Sequence, residues 1–449
     1  MPSTQTSKLA FNQTSVRSAG AHTNANSQQP ANSGGGGGGG GGGITTLTGD
    51  VAAGPGSGSQ AATLATVNPD VGSFTNANIR VNAKGLITAA ASGSGGASYP
   101  LEVSSPGGKL SWSNRFFVED YATAQLAFTA ACGSNGILVF PPGSTSIGTL
   151  TWPTNFAGSV QIKGCGVGVS TLSGSIELVS NATPQVSLED FTCTGGIAID
   201  LTGSNYSAGE DCGNISDVSV TGLISYASST HAFYLNNCGQ MSVDNINGDG
   251  TSNTSGNGLT VIGVSNLQAS NVTLYHYGRG LNIGLGPAGH FYPAGHQYTN
   301  FRAVDCQYGI YAIFDVNQGI FMSNWMVDNG NAPSTFSTPC VYLQGAGSGI
   351  NACTFVSGEV LLQNGGSPAY AMRLYGMEHV LINAIDFTFA GPSDSSIYCS
   401  NGTTACSIQG CAPGSGYLVH CASGTSNTRA LGNVVGATFL DGGSNMLTS

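Results

Sequence analysis

A chain of 449 residues is long enough for about three domains, yet Lys, Arg, Asp and Glu supply only 7% of it, against about 25% in an ordinary soluble protein. Its 69 glycines show no every-third-residue period, which excludes collagen, and 40% apolar content excludes wholesale disorder. The net charge of −11 is uneven: residues 1–98 carry a small positive excess and the rest is strongly acidic with no Lys/Arg cluster, which argues against a nucleic-acid partner.

Residues 1–43 are polar and aperiodic and end in ten consecutive glycines, the composition of a flexible, disordered segment. The N-terminus lacks the basic-then-apolar order of a signal peptide, and no apolar run approaches the length that spans a bilayer, so neither export by the general route nor membrane insertion is expected. Residues 44–98 form a second module, β-prone and broken by Gly and Pro, with too little apolar mass for its own core. It needs partner chains or a surface to lie on. The order GSGSQAATLATV, VGSF, IRVNAKGLITAAASG within it resembles a connecting segment of phage tail fibres and tailspikes. That resemblance implies a virion (tail) protein assembled in the host cytoplasm. It also implies a homotrimer attached to a virion tail or baseplate protein, and a body that binds host-surface polysaccharide.

The body, residues 99–449, begins with Asp120 to Cys132 followed by Gly133. It reads as a short capping helix near 120–132 with Asp120 as N-cap and Gly133 just past its end. A strand ending in Pro141-Pro142-Gly143 and another ending in Gly164-Cys-Gly166 follow, the latter read as a tight turn, since the full dinucleotide fingerprint is missing. Beyond these, an apolar residue recurs three places before a second apolar residue. The pairs are Leu188/Phe191, Ile215/Val218, Val243/Ile246, Ala269/Val272, Tyr298/Phe301, Met322/Trp325 and, more weakly, Ala352/Phe355, Ile382/Ile385, Ile408/Cys411 and Val434/Ala437. A unit of about 27 residues with alternating short strands cannot bury its own face, so units must stack. The fold class expected is all-β, a parallel β-helix solenoid of about ten coils. Before the second member of each pair stand Asp190, Asp217, Asn245, Asn271, Asn300, Asn324 and Thr354. Such a column is similar to the asparagine ladder of pectate-lyase-like, right-handed β-helices, where its role is structural.

All 12 cysteines lie in the body with no CxxC pair. Core packing as free thiols is the first reading, with disulfides among Cys399, Cys406, Cys411 and Cys421 as the other, and neither a metal site nor a cofactor is expected.

Two constellations carry possible chemistry. The stretch Tyr275, His276, Tyr277, Arg279 through His290, Tyr292, His296 and Tyr298 combines rings with polar tips, as a sugar-binding surface does, unless it is ordinary coil-wall packing. Counting three or four places past the anchors puts Asp305, Asp328 and Glu359 on successive coils, where they are candidate acid, base or nucleophile, or else solvated turn acids. No intact motif of polygalacturonases, pectate lyases, serine hydrolases or zinc hydrolases is present. The leading expectation is therefore glycan binding in host attachment. A tailspike depolymerase acting as glycoside hydrolase or lyase is the first alternative, and a cellular extracellular polysaccharide lyase the second.

Overall fold

The computed structural model describes residues 114–449 except 181, 202–210, 251–254, 286–293, 315–317, 330–337, 346–351, 363–369, 390–394, 414–415, 434–437, 443–446 and 449. It also describes residues 51–53, 62–64, 78–83 and 87–91 of a separate N-terminal unit, Met1–Gly96. The expectations for residues 1–43 lie outside the described residues. In the N-terminal unit Val51–Ala53 pairs antiparallel with Ala62–Leu64, and Asn78–Val81 with Ile87–Ala91. The second hairpin leaves Ile79, Val81 and Ile87 about half exposed. A lone two-stranded hairpin has no second layer to bury such side chains against.

The second unit is a parallel β-solenoid of about ten turns. Each full coil contains one long strand bent in the middle and one straight strand, which gives the solenoid three faces. Gln185–Cys193, Asp211–Val220, Gln240–Asp249, Asn266–Tyr275, Ala294–Val304, Gly319–Asp328, Thr354–Leu362 and Leu381–Phe389 are bent strands, each hydrogen-bonded in parallel to the next. The straight strands Asn257–Ile262, Arg279–Gly284, Tyr308–Phe314, Val341–Gly345, Tyr370–Tyr375, Ser395–Ser400 and Tyr417–Cys421 stack likewise. Alternate residues point inward and form continuous apolar columns. One runs Leu188, Ile215, Val243, Ala269, Tyr298, Met322, Phe355, Ile382, Ile408, Ala430, all buried.

The bend in each long strand is made by one residue in the left-handed region. Down the stack these are Asp190, Asp217, Asn245, Asn271, Asn300, Asn324, Ser357, Ala384, Gly410 and Gly432, with φ between 49° and 64°. Asn and Asp tolerate this conformation because their short polar side chains bond locally. The amides also bond between coils: Asn300 Nδ2 donates to Asn271 Oδ1 at 2.9 Å, Asn271 Nδ2 to Asp244 Oδ1 at 3.0 Å, and Asn324 Nδ2 to Asn300 Oδ1. The ladder's expected next member, Thr354, is displaced by Ser357, and the anchor pair of that coil shifts with it. Phe355 pairs with Met322, so it is the first member of its pair and Gly358, facing Trp325, is the second. A Cβ on Gly358 would overlap the Trp325 indole, so Trp325 fills the space of both coils. The last pair is displaced too: Ala430 continues the column below Ile408, and 434–437 lie outside the described residues.

The first coil is closed by the helix α1 (Ala124–Gly133), whose N-cap is Thr123, accepting from Leu126 N. Asp120, the expected cap, ends a 3₁₀ turn, Val118–Asp120, and the extended Tyr121 separates the two. Ala127, Phe128, Ala131 and Cys132 are buried under this cap, with Phe128 stacked on Trp152 at 5.6 Å. The Gln125 amide both donates to Thr151 O and accepts from Thr151 N, each at 2.9 Å, as a neighbouring strand would. The Gly164-to-Gly168 stretch is a turn, with Gly166 at φ 132° and Gly168 at φ 74°. All twelve cysteines are free thiols, and eleven are buried, Cys399 and Cys421 in direct register. No helix among the described residues is long and apolar enough to cross a membrane.

Candidate functional site

The three proposed carboxylates fall on neighbouring coils but not in one column. Asp305 is the first turn residue after its strand, in step with His276 one coil below, since Val304 pairs with Tyr275. Asp328 pairs with Val304 and Leu361, and Glu359 with Met326. The count from the anchors slipped at Glu359 because Gly358, and not Phe355, is the second anchor of that coil. The corrected register brings in a residue the sequence reading passed over: Asp386 pairs directly with Glu359. Asp328, Glu359 and Asp386 therefore share the outward face of the second limb of the bent strands, on three consecutive coils. With strands about 4.8 Å apart and residues about 3.3 Å apart along each strand, Glu359 and Asp386 are direct neighbours and Asp328 lies about 8 Å diagonally from Glu359.

The Asp305 corner is a cluster of its own. His276 Nδ1 lies 2.9 Å from Asp249 Oδ1, and its Nε2 lies 3.8 Å from Asp305 Oδ2. His276 and Asp305 both adopt left-handed φ, 58° and 53°. One imidazole is thus held between carboxylates of the coils above and below it. Asp305 is nearly buried, whereas His276 and Asp249 remain well exposed.

The His- and Tyr-rich stretch does not form one surface. Tyr275 faces outward beside His276, ring centroids 6.1 Å apart. Tyr277, His296 and Tyr298 are fully buried, so the expectation that they meet a ligand is corrected: they are core. Tyr277 turns inward because Gly248 and Gly258 leave room, where added Cβ atoms would crowd its ring. Burial pushes its hydroxyl's pKa up, as it does for Tyr298. His296 donates from Nε2 to Val264 O at 2.8 Å, and burial pushes its pKa down to about 4. His290 and Tyr292 lie outside the described residues.

Arg279 points to a surface on the straight strands. Its guanidinium carbon sits 3.7 Å from the centre of the Tyr311 ring. Register stacks the outward residues Asn282, Tyr311, Tyr342, Arg373, Tyr398 and His420 in one column over five coil steps, about 24 Å. Tyr311 and Tyr342 stack with centroids 5.2 Å apart, Tyr370 and Tyr398 at 4.2 Å and nearly parallel, and Tyr398 meets His420 edge-on at 4.9 Å. Tyr308 and Tyr375 flank the column, and the guanidinium of Arg373 lies among Tyr342, Tyr375 and Tyr398. Partial burial raises the pKa of Tyr308 and Tyr342, so both are neutral hydroxyls at pH 7. The sequence signal for this column is a tripeptide with apolar flanks: Ile310-Tyr-Ala, Val341-Tyr-Leu, Met372-Arg-Leu, Ile397-Tyr-Cys, Val419-His-Cys.

The two surfaces meet. Val304 ends a bent strand and Tyr308 begins the next straight one, so the corner bearing Asp305 is three residues wide. Among the described residues no group of three or more His, Cys, Asp or Glu is arranged to hold a metal ion.

No family model matches the chain, and no curated protein matches it. Among the solved structures to which the chain is similar are two GH87 α-1,3-glucanase catalytic units and one epimerase module. One is the catalytic unit of a thermostable GH87 α-1,3-glucanase from Streptomyces thermodiastaticus, at 15% identity over 76% of this chain and 70% of that one, with a TM-score of 0.46. The second is the A-module of the mannuronan C-5 epimerase AlgE6 from Azotobacter vinelandii, at 16% identity over 74% of this chain and 98% of that one, with a TM-score of 0.48. The third is a GH87 α-1,3-glucanase catalytic domain in complex with nigerose, at 12% identity over 77% and 67%, with a TM-score of 0.49. These neighbours are polysaccharide-active proteins, and the activities belong to them.

Proposed function

We propose that this protein binds a polysaccharide along the tyrosine–arginine face of its solenoid, and that it does so as a trimeric tail fibre or tailspike at a host surface. The observation that carries the binding is the column Tyr311, Tyr342, Arg373, Tyr398 with its flanking rings. Sugar rings offer apolar faces and hydroxyl rims. Tyrosines supply apolar bodies with polar tips at low entropic cost. A track about 24 Å long suits a chain better than a single sugar. The attachment role is supported by the tail-fibre-like segment in 44–98 and by the exposed Ile79, Val81 and Ile87, which call for partner chains. Three weak sites on one particle gain strongly from avidity.

A specific observation favours the depolymerase alternative. Glu359 and Asp386, in direct register, suit the roughly 5 Å separation of a retaining pair, and Asp328 with Glu359 suits the roughly 6.5–9.5 Å of an inverting one. The test follows binding and chain length together on bacterial capsule and lipopolysaccharide glycans. Binding lost in Tyr342→Ala and Tyr398→Ala supports the binding reading, and unchanged binding in both refutes it. Chain shortening lost in Glu359→Gln or Asp386→Asn adds cleavage.

A further inference from the structure

Arg373 is a group that holding a neutral sugar does not require. Its guanidinium carbon is 5.8, 5.3 and 5.9 Å from the centres of the Tyr342, Tyr375 and Tyr398 rings. No carboxylate among the described residues pairs with it, and its Nε is buried without a hydrogen-bond partner. A buried donor of a charged group left unmade is costly, and guanidinium is charged at every relevant pH. The chain around it is acidic, with 22 carboxylates against 11 Lys and Arg, so carboxylates to neutralise an arginine are plentiful, yet none is placed here. Three coils away, about 14 Å, Arg279 repeats the arrangement on Tyr311 with one Nη donating to Asn282 at 2.9 Å.

We infer that the glycan is an acidic polysaccharide whose carboxylates are received by Arg373 and Arg279. This rests on the binding site proposed above. The planar fork of each guanidinium matches a carboxylate with two parallel N–H donors. The tyrosines already hold the fork in place, so little side-chain freedom is lost on binding. Two such forks on one stacked track fit an acid that recurs along a repeating chain, while the intervening rings cover the sugars between.

The experiment uses the full chain and pairs of probes: acidic capsular polysaccharides and the same polymers with their carboxyls reduced to alcohols, with neutral dextran beside them. Affinities are measured at low and high salt for the parent protein, Arg373→Gln, Arg373→Lys and Arg279→Gln, with melting temperatures confirming the fold. The expected result is binding of an acidic polymer that weakens about tenfold or more on carboxyl reduction and weakens with salt. Arg373→Gln should cost about tenfold on the native polymer and nothing on the reduced one, with Arg373→Lys in between. Should Arg373→Gln fail to fold, Arg279→Gln carries the same test on the Tyr311 ring. Equal affinity for native and reduced polymers, or preference for a neutral one, overturns the acidic inference and leaves polysaccharide binding standing. Binding that is unmoved by Tyr342→Ala and Tyr398→Ala overturns the underlying site as well.

Discussion

His296 makes the solenoid acid-sensitive in a calculable way. Its Nε2 hydrogen is donated to Val264 O, and its Nδ1 is buried with no partner at all. Protonation would place a second N–H, and a charge, where no acceptor stands among the described residues. The folded protein therefore refuses the proton until about pH 4, while the unfolded chain takes it near pH 6.5. A folded pKa below the unfolded one means stability is complete above about pH 6.5 and is lost as pH falls from there through about 4. The difference is worth about 3 kcal/mol. His231, bonded to Thr260 Oγ1 at 2.8 Å and Tyr226 O at 3.2 Å and likewise held down to about 4 by burial, contributes a similar amount. Against a typical total of about 5–15 kcal/mol, the pair is a large share. The assay is the melting temperature in steps from pH 7.5 to 4.0, for the parent and for His296→Phe. The variant should melt lower at pH 7.5, since Val264 O loses its donor, about 1–2 kcal/mol. Its curve should then fall only about half as steeply between pH 6.5 and 5, where carboxylates shared by both proteins hardly titrate. Parallel curves across that range would refute the reasoning.

Four further outcomes are expected. Gly358→Ala should destabilise by about 1–3 kcal/mol through overlap with the Trp325 indole, and Trp325→Leu in the same chain should recover part of that loss; additive losses in a double-mutant cycle would contradict it. Asn300→Val should cost about 2 kcal/mol or more, because it puts a β-branched residue at φ 55° and breaks the amide bonds to Asn271 and Asn324, whereas Asn300→Gly should cost less, as read by chemical denaturation. A maleimide should label only Cys165 rapidly in the folded chain, the other eleven thiols reacting on unfolding, since burial is the main cause that pushes Cys193, Cys306 and Cys353 up to about 12; mass spectrometry counts the adducts. If the outward acids cleave glycan, Glu359→Gln should lower turnover by at least about a hundredfold with the melting temperature nearly unchanged, followed as reducing ends released.

The repeat was legible wherever a coil kept the same interior chemistry. Six anchor pairs, from Leu188/Phe191 to Met322/Trp325, sit in the register their spacing implied. The slip came where one coil borrows volume from the next. Trp325 is large enough to replace its neighbour's side chain, so the neighbour is Gly358, and a pattern that looks for apolar residues passes over it to Phe355. Tyr298 shows the opposite error. As the first member of an anchor pair it belongs inside, and its parity already excluded it from a solvent-facing site. The tyrosine face was readable but unread. Its members stand 31, 31 and 25 places apart, because the loops between strands vary while the hydrogen-bond register does not, so fixed-period counting cannot align them. Only the apolar-X-apolar tripeptides do.

The register also explains why binding and any cleavage should be separable by mutation. The acids Asp328, Glu359 and Asp386 stand on the second limb of the bent strands, and the tyrosines stand on the straight strands, so each surface is held by its own hydrogen-bonded sheet. Substitutions on the two stand in different hydrogen-bonded columns, and effects at separate, independent sites add. At Asp305 the corner between the two faces is short, since Cys306 and Gln307 alone separate it from Tyr308. A polysaccharide that crosses from one face to the other at this coil passes Asp305, with His276 one coil below. Asp305→Asn should therefore leave affinity for short oligosaccharides on the tyrosine face unchanged while weakening any effect of the acids on a longer chain. A loss of affinity equal for short and long ligands would show that the corner belongs to the binding face itself.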